Sequence, residues 1–248
     1  MLSISWRNPL NSIVSVAVAT ILFVGCTSGR VGPRVGVDLP LSGMQVEGDV
    51  TSSSTDIGFV GGATFEGVFK NNWALRFDPQ VRTLSNEVLF EGSTPGTTGS
   101  IEASGSLQSH NTFLDLPVQI AYARSDEQTW YPFIAAGAML TFPTISTARI
   151  DATQTALVDE NVVSVPLISQ YSGTSLSEKT PWISLLVTGG VRVPLSDKWE
   201  FSTEARLQQL VSGGHISTVA SGNVEVFTIS LSAPKTSISI VAGIMLRL

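Results

Sequence analysis

Trp73-Ala74-Leu75-Arg76-Phe77-Asp78-Pro79-Gln80-Val81-Arg82 decides the fold. In an extended chain Trp73, Leu75, Phe77, Pro79 and Val81 share one face, and Arg76, Asp78, Gln80 and Arg82 share the other; a helix would mix the two sets around its circumference. Trp199–Leu207 repeats the pattern, with Trp199, Phe201, Thr203, Ala205 and Leu207 opposing Glu200, Ser202, Glu204 and Arg206. Six more segments alternate in the same way. Their apolar registers are Val35–Leu41, Ile57–Phe69, Leu114–Tyr122, Trp130–Phe142, Ile183–Val193 and Ile238–Leu248. The apolar register carries no charge unless the fourth segment runs on to Arg124. The opposite register holds six arginines (Arg34, Arg76, Arg82, Arg192, Arg206, Arg247) and six acids (Asp38, Glu66, Asp78, Asp115, Glu200, Glu204), and no lysine falls within the strands.

Two containers accept such strands. A lipocalin-like barrel or a β-sandwich turns the apolar face inward and wets the polar one, which should then be dense in Lys and Glu. A transmembrane barrel turns the apolar face to lipid and fills its lumen with the polar one, every backbone group being paired because the sheet closes. Here the polar face is sparse, charge-balanced and supplied with Arg alone among the bases. Arg suits bidentate pairing with carboxylates in a place without water. The expected fold is all-β, an eight-stranded antiparallel up-and-down transmembrane β-barrel, with ten strands as the alternative count. The extra pair would come from 216–220 and 223–230, either as two more strands or as a hairpin extending above the membrane.

Composition agrees. The chain has 248 residues, of which 43% are hydrophobic and only 14% charged, with 22 Gly. These figures exclude disorder and coiled coil, and no apolar run beyond the N-terminus is long enough for a helical span. A formal charge of −6 argues against nucleic acid as a partner. A single cysteine excludes an internal disulfide. Residues 1–28 carry the marks of an export signal, with Arg7 before an apolar segment from Ile13 to Val24 that ends at small residues. Cys26 follows Leu22-Phe23-Val24-Gly25, which resembles the bacterial lipoprotein signal, where the cysteine is lipidated; the alternative is an ordinary signal whose cleavage region contains Cys. Residues 29–248 are then the barrel with four long outer loops.

The connections differ in length. Lys70–Asn72, Ser125–Gln128 and Ser196–Lys198 are tight, and Trp73, Trp130 and Trp199 follow them, as an interfacial aromatic belt would. Trp182 either sits at the opposite interface or points inward. The connections near 44–55, 86–110, 148–179 and 211–235 are long, rich in Ser, Thr and Gly, and hold ten acids against three bases. They are expected to form a solvated, mobile surface, where a divalent cation has a use as a bridge to anionic polymers. Short turns alternating with long loops is the periplasmic and extracellular asymmetry of outer-membrane barrels, and it places both termini in the periplasm.

Phe113–Tyr122, Tyr131–Ala138 and Gly189–Phe201 resemble the bacterial outer-membrane β-barrel family that includes the PorT-like proteins. The resemblance covers 33–248 and rests on structural motifs, a Leu-Pro step and a Pro-Phe-x-x-x-Gly step. It implies a bacterial outer-membrane location, lipid and lipopolysaccharide as surroundings, and envelope or secretion-complex proteins as partners. Barrels of this kind commonly end in an aromatic residue, whereas this chain ends Ile244–Leu248.

An eight-stranded barrel is just wide enough to be filled by side chains. The twelve charges, with Gln80, Gln119, Gln208, Tyr131 and Phe133, form a structural lumen network and leave no room for a diffusion pore. Gly61-Gly62 and Gly189-Gly190 fit bends or close packing rather than a ligand passage. An enzyme acting on lipid would draw on His110 or His215 beside Ser109 or Ser212 near the outer rim, against the alternative of solvated loop histidines. No cofactor is expected, and the histidine pair lacks a third metal ligand. The expected role is that of a non-enzymatic surface structural, adhesion or envelope-complex component; the alternatives are a lipid-modifying enzyme and a soluble lipocalin-like ligand binder.

Overall fold

The computed structural model describes residues 28–42, 45–47, 50–69, 72–96, 99–123, 130–158, 161–173, 181–221 and 226–248. Among these described residues fourteen strands follow one another: β1 (Ser28–Pro40), β2 (Gln45–Glu47), β3 (Val50–Thr55), β4 (Gly58–Val68), β5 (Trp73–Phe77), β6 (Gln80–Gly96), β7 (Gly99–Ala123), β8 (Tyr131–Val158), β9 (Asn161–Gly173), β10 (Trp182–Pro194), β11 (Trp199–Ser212), β12 (His215–Ser221), β13 (Val226–Ser232) and β14 (Thr236–Arg247).

Eight antiparallel staves close into a ring in the order β1, β4, β5 with β6, β7, β8, β10, β11 and β14, and β14 pairs back onto β1. Each stave pairs with its neighbours in the chain, so the topology is up-and-down. β5 and β6 are one stave. Proline brings no N–H to a ladder, and Pro79 interrupts the assignment, yet pairing with β4 and β7 keeps the same register on both sides of the Asp78–Pro79 step. Two of the remaining groups there are paired: Asp78 N–H donates to Pro117 O at 3.1 Å and Ala63 N–H donates to Pro79 O at 3.1 Å.

Alternation sorts the side chains as a transmembrane barrel requires. Phe59 is 71% exposed and Val35 67%, and Ile134, Leu185, Val187 and Ile240 also point outward, while Arg34, Asp38, Arg192 and Arg206 are buried. A soluble lipocalin-like barrel has the opposite orientation, and that alternative is corrected here.

One end is trimmed short. Leu195 N–H and Ser196 N–H both donate to Trp199 O, and the Ser196 hydroxyl accepts from Trp199 N–H at 3.2 Å. Asn72, at φ 67°, closes another turn in the left-handed region that Asn tolerates. Leu248 N–H donates to Gly29 O and Arg247 N–H to Lys198 O, so both ends of the barrel segment lie beside these turns. The turn expected at Ser125–Gln128, and Arg124, lie outside the described residues.

The other end is drawn out. Among the described residues most of the long connections, expected as loops, are β-structure. β6 and β7 stay paired to Gly96↔Gly99, β8 and β9 to Val158↔Asn161, and β3 lies along β6. These strands make a five-stranded projecting wing. Ser and Thr side chains accept extended backbone, and neighbouring strands supply the ladder, so pairing continues without apolar alternation. At about 3.3 Å per residue, the Gly99–Thr112 part of β7 reaches about 45 Å beyond the ring. The bulge lies where Thr112 pairs with Ile145 and Phe113 with Pro143, leaving Thr144 as the extra residue, its hydroxyl donating to Thr112 O at 2.8 Å. β12 and β13 form the hairpin anticipated at 216–230; it pairs with β2 in a separate sheet, an extension rather than two more staves.

Candidate functional site

The interior holds the charges in three stacked tiers. Nearest the short turns, Glu66 receives a bidentate pair from Arg192 (Nη1–Oε1 2.9 Å, Nη2–Oε2 2.5 Å) and a contact from Arg30 Nη1 at 2.7 Å. Glu200 is held by Arg30 Nε at 3.0 Å, by Arg247 and by the Tyr131 hydroxyl. In the middle tier Asp78 lies 2.8 Å from Arg34, 2.9 Å from Arg76 and 2.8 Å from Arg206, while Glu204 lies 3.2, 2.6 and 3.0 Å from the same three. In the far tier Arg82 donates to Asp115 at 2.8 Å and to Asp38 at 3.2 Å. Asp115 also accepts from the Thr141 hydroxyl and Asp38 from the Ser239 hydroxyl.

Uncharged groups join the tiers. Gln80 accepts from Arg34 at 3.1 Å and from Arg206 at 3.2 Å and donates to Asp115 at 3.4 Å, linking middle to far. Phe133 lies between near and middle, with Arg192 Cζ 4.4 Å and Arg76 Cζ 5.5 Å from its ring centroid. Such contacts offset part of the desolvation of a buried guanidinium. Above the far tier an apolar cap begins. Arg82 stacks over Phe113 at 5.0 Å, Phe113 meets Trp182 at 5.2 Å between centroids, and Leu84, Leu107, Met139 and Leu186 are also fully buried. Gly213 takes the left-handed φ of +84° against Trp182, where a Cβ would meet the indole Cδ1 at 2.5 Å.

All twelve lumen residues singled out in the sequence take part in these ion pairs, Gln80, Tyr131 and Phe133 join them, and Gln119 and Gln208 are buried on the same inward face, bonded to Thr188 and Ser184. Sequence reasoning missed Arg30. Its signal was present, since stepping back by twos from Arg34 through Gly32 reaches Arg30 on the same face. Trp73, Trp130 and Trp199 are each about half exposed near the short-turn end, and Trp182 is buried at 2% exposure, pointing inward. Cys26 lies outside the described residues.

The glycine pairs divide. A Cβ on Gly62 would collide with Pro79 O, and one on Gly190 would lie 2.5 Å from Phe133, so close packing holds there. Gly61 and Gly189 face open space, so of the two expected roles close packing does not apply to them. The suggested Ser109–His110 pairing is also corrected, because adjacent strand residues point to opposite faces: Ser109 is buried and His110 exposed on β7. His110 Nδ1 instead lies 2.8 Å from the Ser85 hydroxyl across the strand pair. Ser212 is exposed, and the His215 side chain lies outside the described set. Among the described residues no three His, Cys, Asp or Glu side chains come together as a metal site.

No protein-family model matches the chain, and neither does any curated protein. Among solved structures it is similar to the outer membrane protein OprG from Pseudomonas aeruginosa, with a TM-score of 0.50 and 11% identity over 90% of this chain and 97% of that one. A major outer membrane protein from Thermus thermophilus aligns at a TM-score of 0.40 and 10% identity over 90% and 100% of the two chains. Neisserial surface protein A aligns at 0.35 and 12% over 88% and 96%. At this identity the likeness to OprG concerns the fold.

Proposed function

We propose that this chain is an integral protein of a bacterial outer membrane and acts, without catalysis, as a surface structural, adhesion or envelope-complex component. The observation that carries this reading is the filled lumen, three tiers of ion pairs under an apolar cap, which leaves the projecting wing and the short turns as the surfaces able to meet a partner. From Trp73 to Thr83 the outward register is apolar for about ten residues, the length of a transmembrane strand. Trp73, Trp130 and Trp199 then form the aromatic belt on the periplasmic side, where both termini lie, and the wing stands outside the cell among lipopolysaccharide. The export signal and Cys26 lipidation belong to the same proposal, and the mass of the mature N-terminus tests them: a chain without Cys26, or without acyl mass, contradicts lipidation. The PorT-like resemblance points to a secretion assembly as the class of partner.

Two measurements test the role. Planar-bilayer recording of the purified barrel should give no stable large conductance, and steady channels would overturn the filled lumen. Photo-cross-linkers at Gln108 and Thr153, both exposed on the wing, should recover a recurring envelope component from intact cells. Repeated recovery of the chain alone contradicts a complex-forming role.

A further inference from the structure

The lumen charges do not balance tier by tier. Among the described residues the near tier sets Arg30, Arg192 and Arg247 against Glu66 and Glu200, the middle tier sets Arg34, Arg76 and Arg206 against Asp78 and Glu204, and the far tier sets Arg82 against Asp38 and Asp115. Positive charge is in excess in the two lower tiers and negative charge in the far one, on the other side of Gln80. Arg247, partly exposed at the mouth, is screened by solvent; the middle tier has no such relief.

A cavity of about 10 Å³ opens beside this middle tier, with Arg34, Thr64, Arg76, Ser202 and Glu204 on its wall and Gly243 at its back. It holds about one water-sized sphere. Arg34 and Arg76 are each 3% exposed, and each keeps one buried donor, Arg34 Nε and Arg76 Nη1, with no hydrogen-bond partner. A buried donor left without an acceptor costs about 1–3 kcal/mol. The one carboxylate on the wall lies against the same guanidiniums, with Glu204 Oε1 beside Arg206 and Arg34 and Oε2 beside Arg76, although Oε2 also has no hydrogen-bond partner.

We infer that this cavity is a binding site for one monovalent anion of halide size. Such an ion supplies the acceptor both free donors lack and offsets the local positive excess. A water molecule supplies the acceptor but leaves the charge. Room for about one water-sized sphere suits a single-atom ion better than a polyatomic one.

The probe is bromide. The full barrel is refolded from denaturant in bromide and crystallised, and diffraction is recorded at the bromine absorption edge. The expected result is an anomalous peak in the cavity, within hydrogen-bond reach of Arg34 Nε and Arg76 Nη1. Its companion is an unfolding midpoint about 2–4 °C higher in chloride or bromide than in sulfate at equal ionic strength. Ser202→Val fills the cavity and should abolish both while heat-modifiable migration persists. Should that variant not fold, Ser202→Thr, which keeps the hydroxyl and adds one methyl group to the same wall, should lower bromide occupancy. Density without anomalous signal marks a water, and peaks confined to the surface mark adventitious ions only; either result, or a midpoint equal in halide and sulfate, overturns the inference.

Discussion

β6, β7 and β8 run unbroken from the ring into the wing, and their two faces exchange character on the way. Within the ring the outward register is Val81 on β6, Leu114, Val118 and Ile120 on β7, and Ile134 and Leu140 on β8, while Arg82, Asp115, Gln119 and Thr141 point in. Beyond Thr83, Thr112 and Thr144 the outward register becomes Ser85 and Glu87, Gln108 and His110, Thr147 and Arg149, and the inward one gains Leu84, Val88 and Leu107. Leu89 is the outward exception. Outward groups on the wing pair as exposed groups in water do, with Gln108 on Glu87 at 3.2 Å and Arg149 on Asp151 at 2.8 Å. One ladder of strands thus obeys two solvents. The pleat fixes which residues share a face, and the medium fixes which chemistry that face must carry.

The largest consequence lies in the far tier. Arg82→Met strips Asp38 and Asp115 of their guanidinium and leaves them the Ser239 and Thr141 hydroxyls and the weaker Gln80 contact. Breaking a buried pair from one side costs about 3–5 kcal/mol, and equilibrium refolding into vesicles should read a loss of that size. On the wing the inward apolar face is what matters. Leu107→Ala, at a site with 0% exposure, should cost about 2–5 kcal/mol in the same assay. Arginine placed on the outward register separates the two regions most sharply. Val118→Arg, in the ring, should cost about 2–4 kcal/mol, whereas Thr147→Arg, on the wing, should stay within about 0.5 kcal/mol of the parent. Equal costs at the two sites would erase the distinction between the regions.

Much of the ring was legible because a period of two, with opposite chemistry on its two faces, leaves little freedom. Pro79 did not obscure the third stave, since Phe77 and Val81 keep the phase around it. The partners within the lumen were not legible. Glu66 and Arg192 meet across 126 positions of sequence, and which acid meets which arginine depends on the stagger between staves. Arg30 escaped because Gly29, Gly32 and Pro33 blur the start of β1. The wing was hidden for a different reason: the Ser, Thr and Gly of 99–110 carry no strong apolar alternation, and it is pairing with adjacent strands, a non-local fact, that makes them extended. Trp182 was undecided because a tryptophan at a strand end serves an interface or a cap equally well, and packing against Phe113 and Gly213 decides it.

The exchange of faces along one strand is open to direct measurement. Spin labels placed one at a time at Ile120, Val118, Leu114, Thr112, His110 and Gln108 of β7, in a Cys26→Ser background and reconstituted in bilayers, report whether each site meets oxygen dissolved in lipid or a water-soluble nickel chelate. Labels from Ile120 to Leu114 should favour oxygen, with the preference passing to the chelate across Thr112 and complete at His110 and Gln108. Uniform access to the chelate along the whole series would mean that the ring's outer face meets water, and the membrane-spanning reading would fall with it.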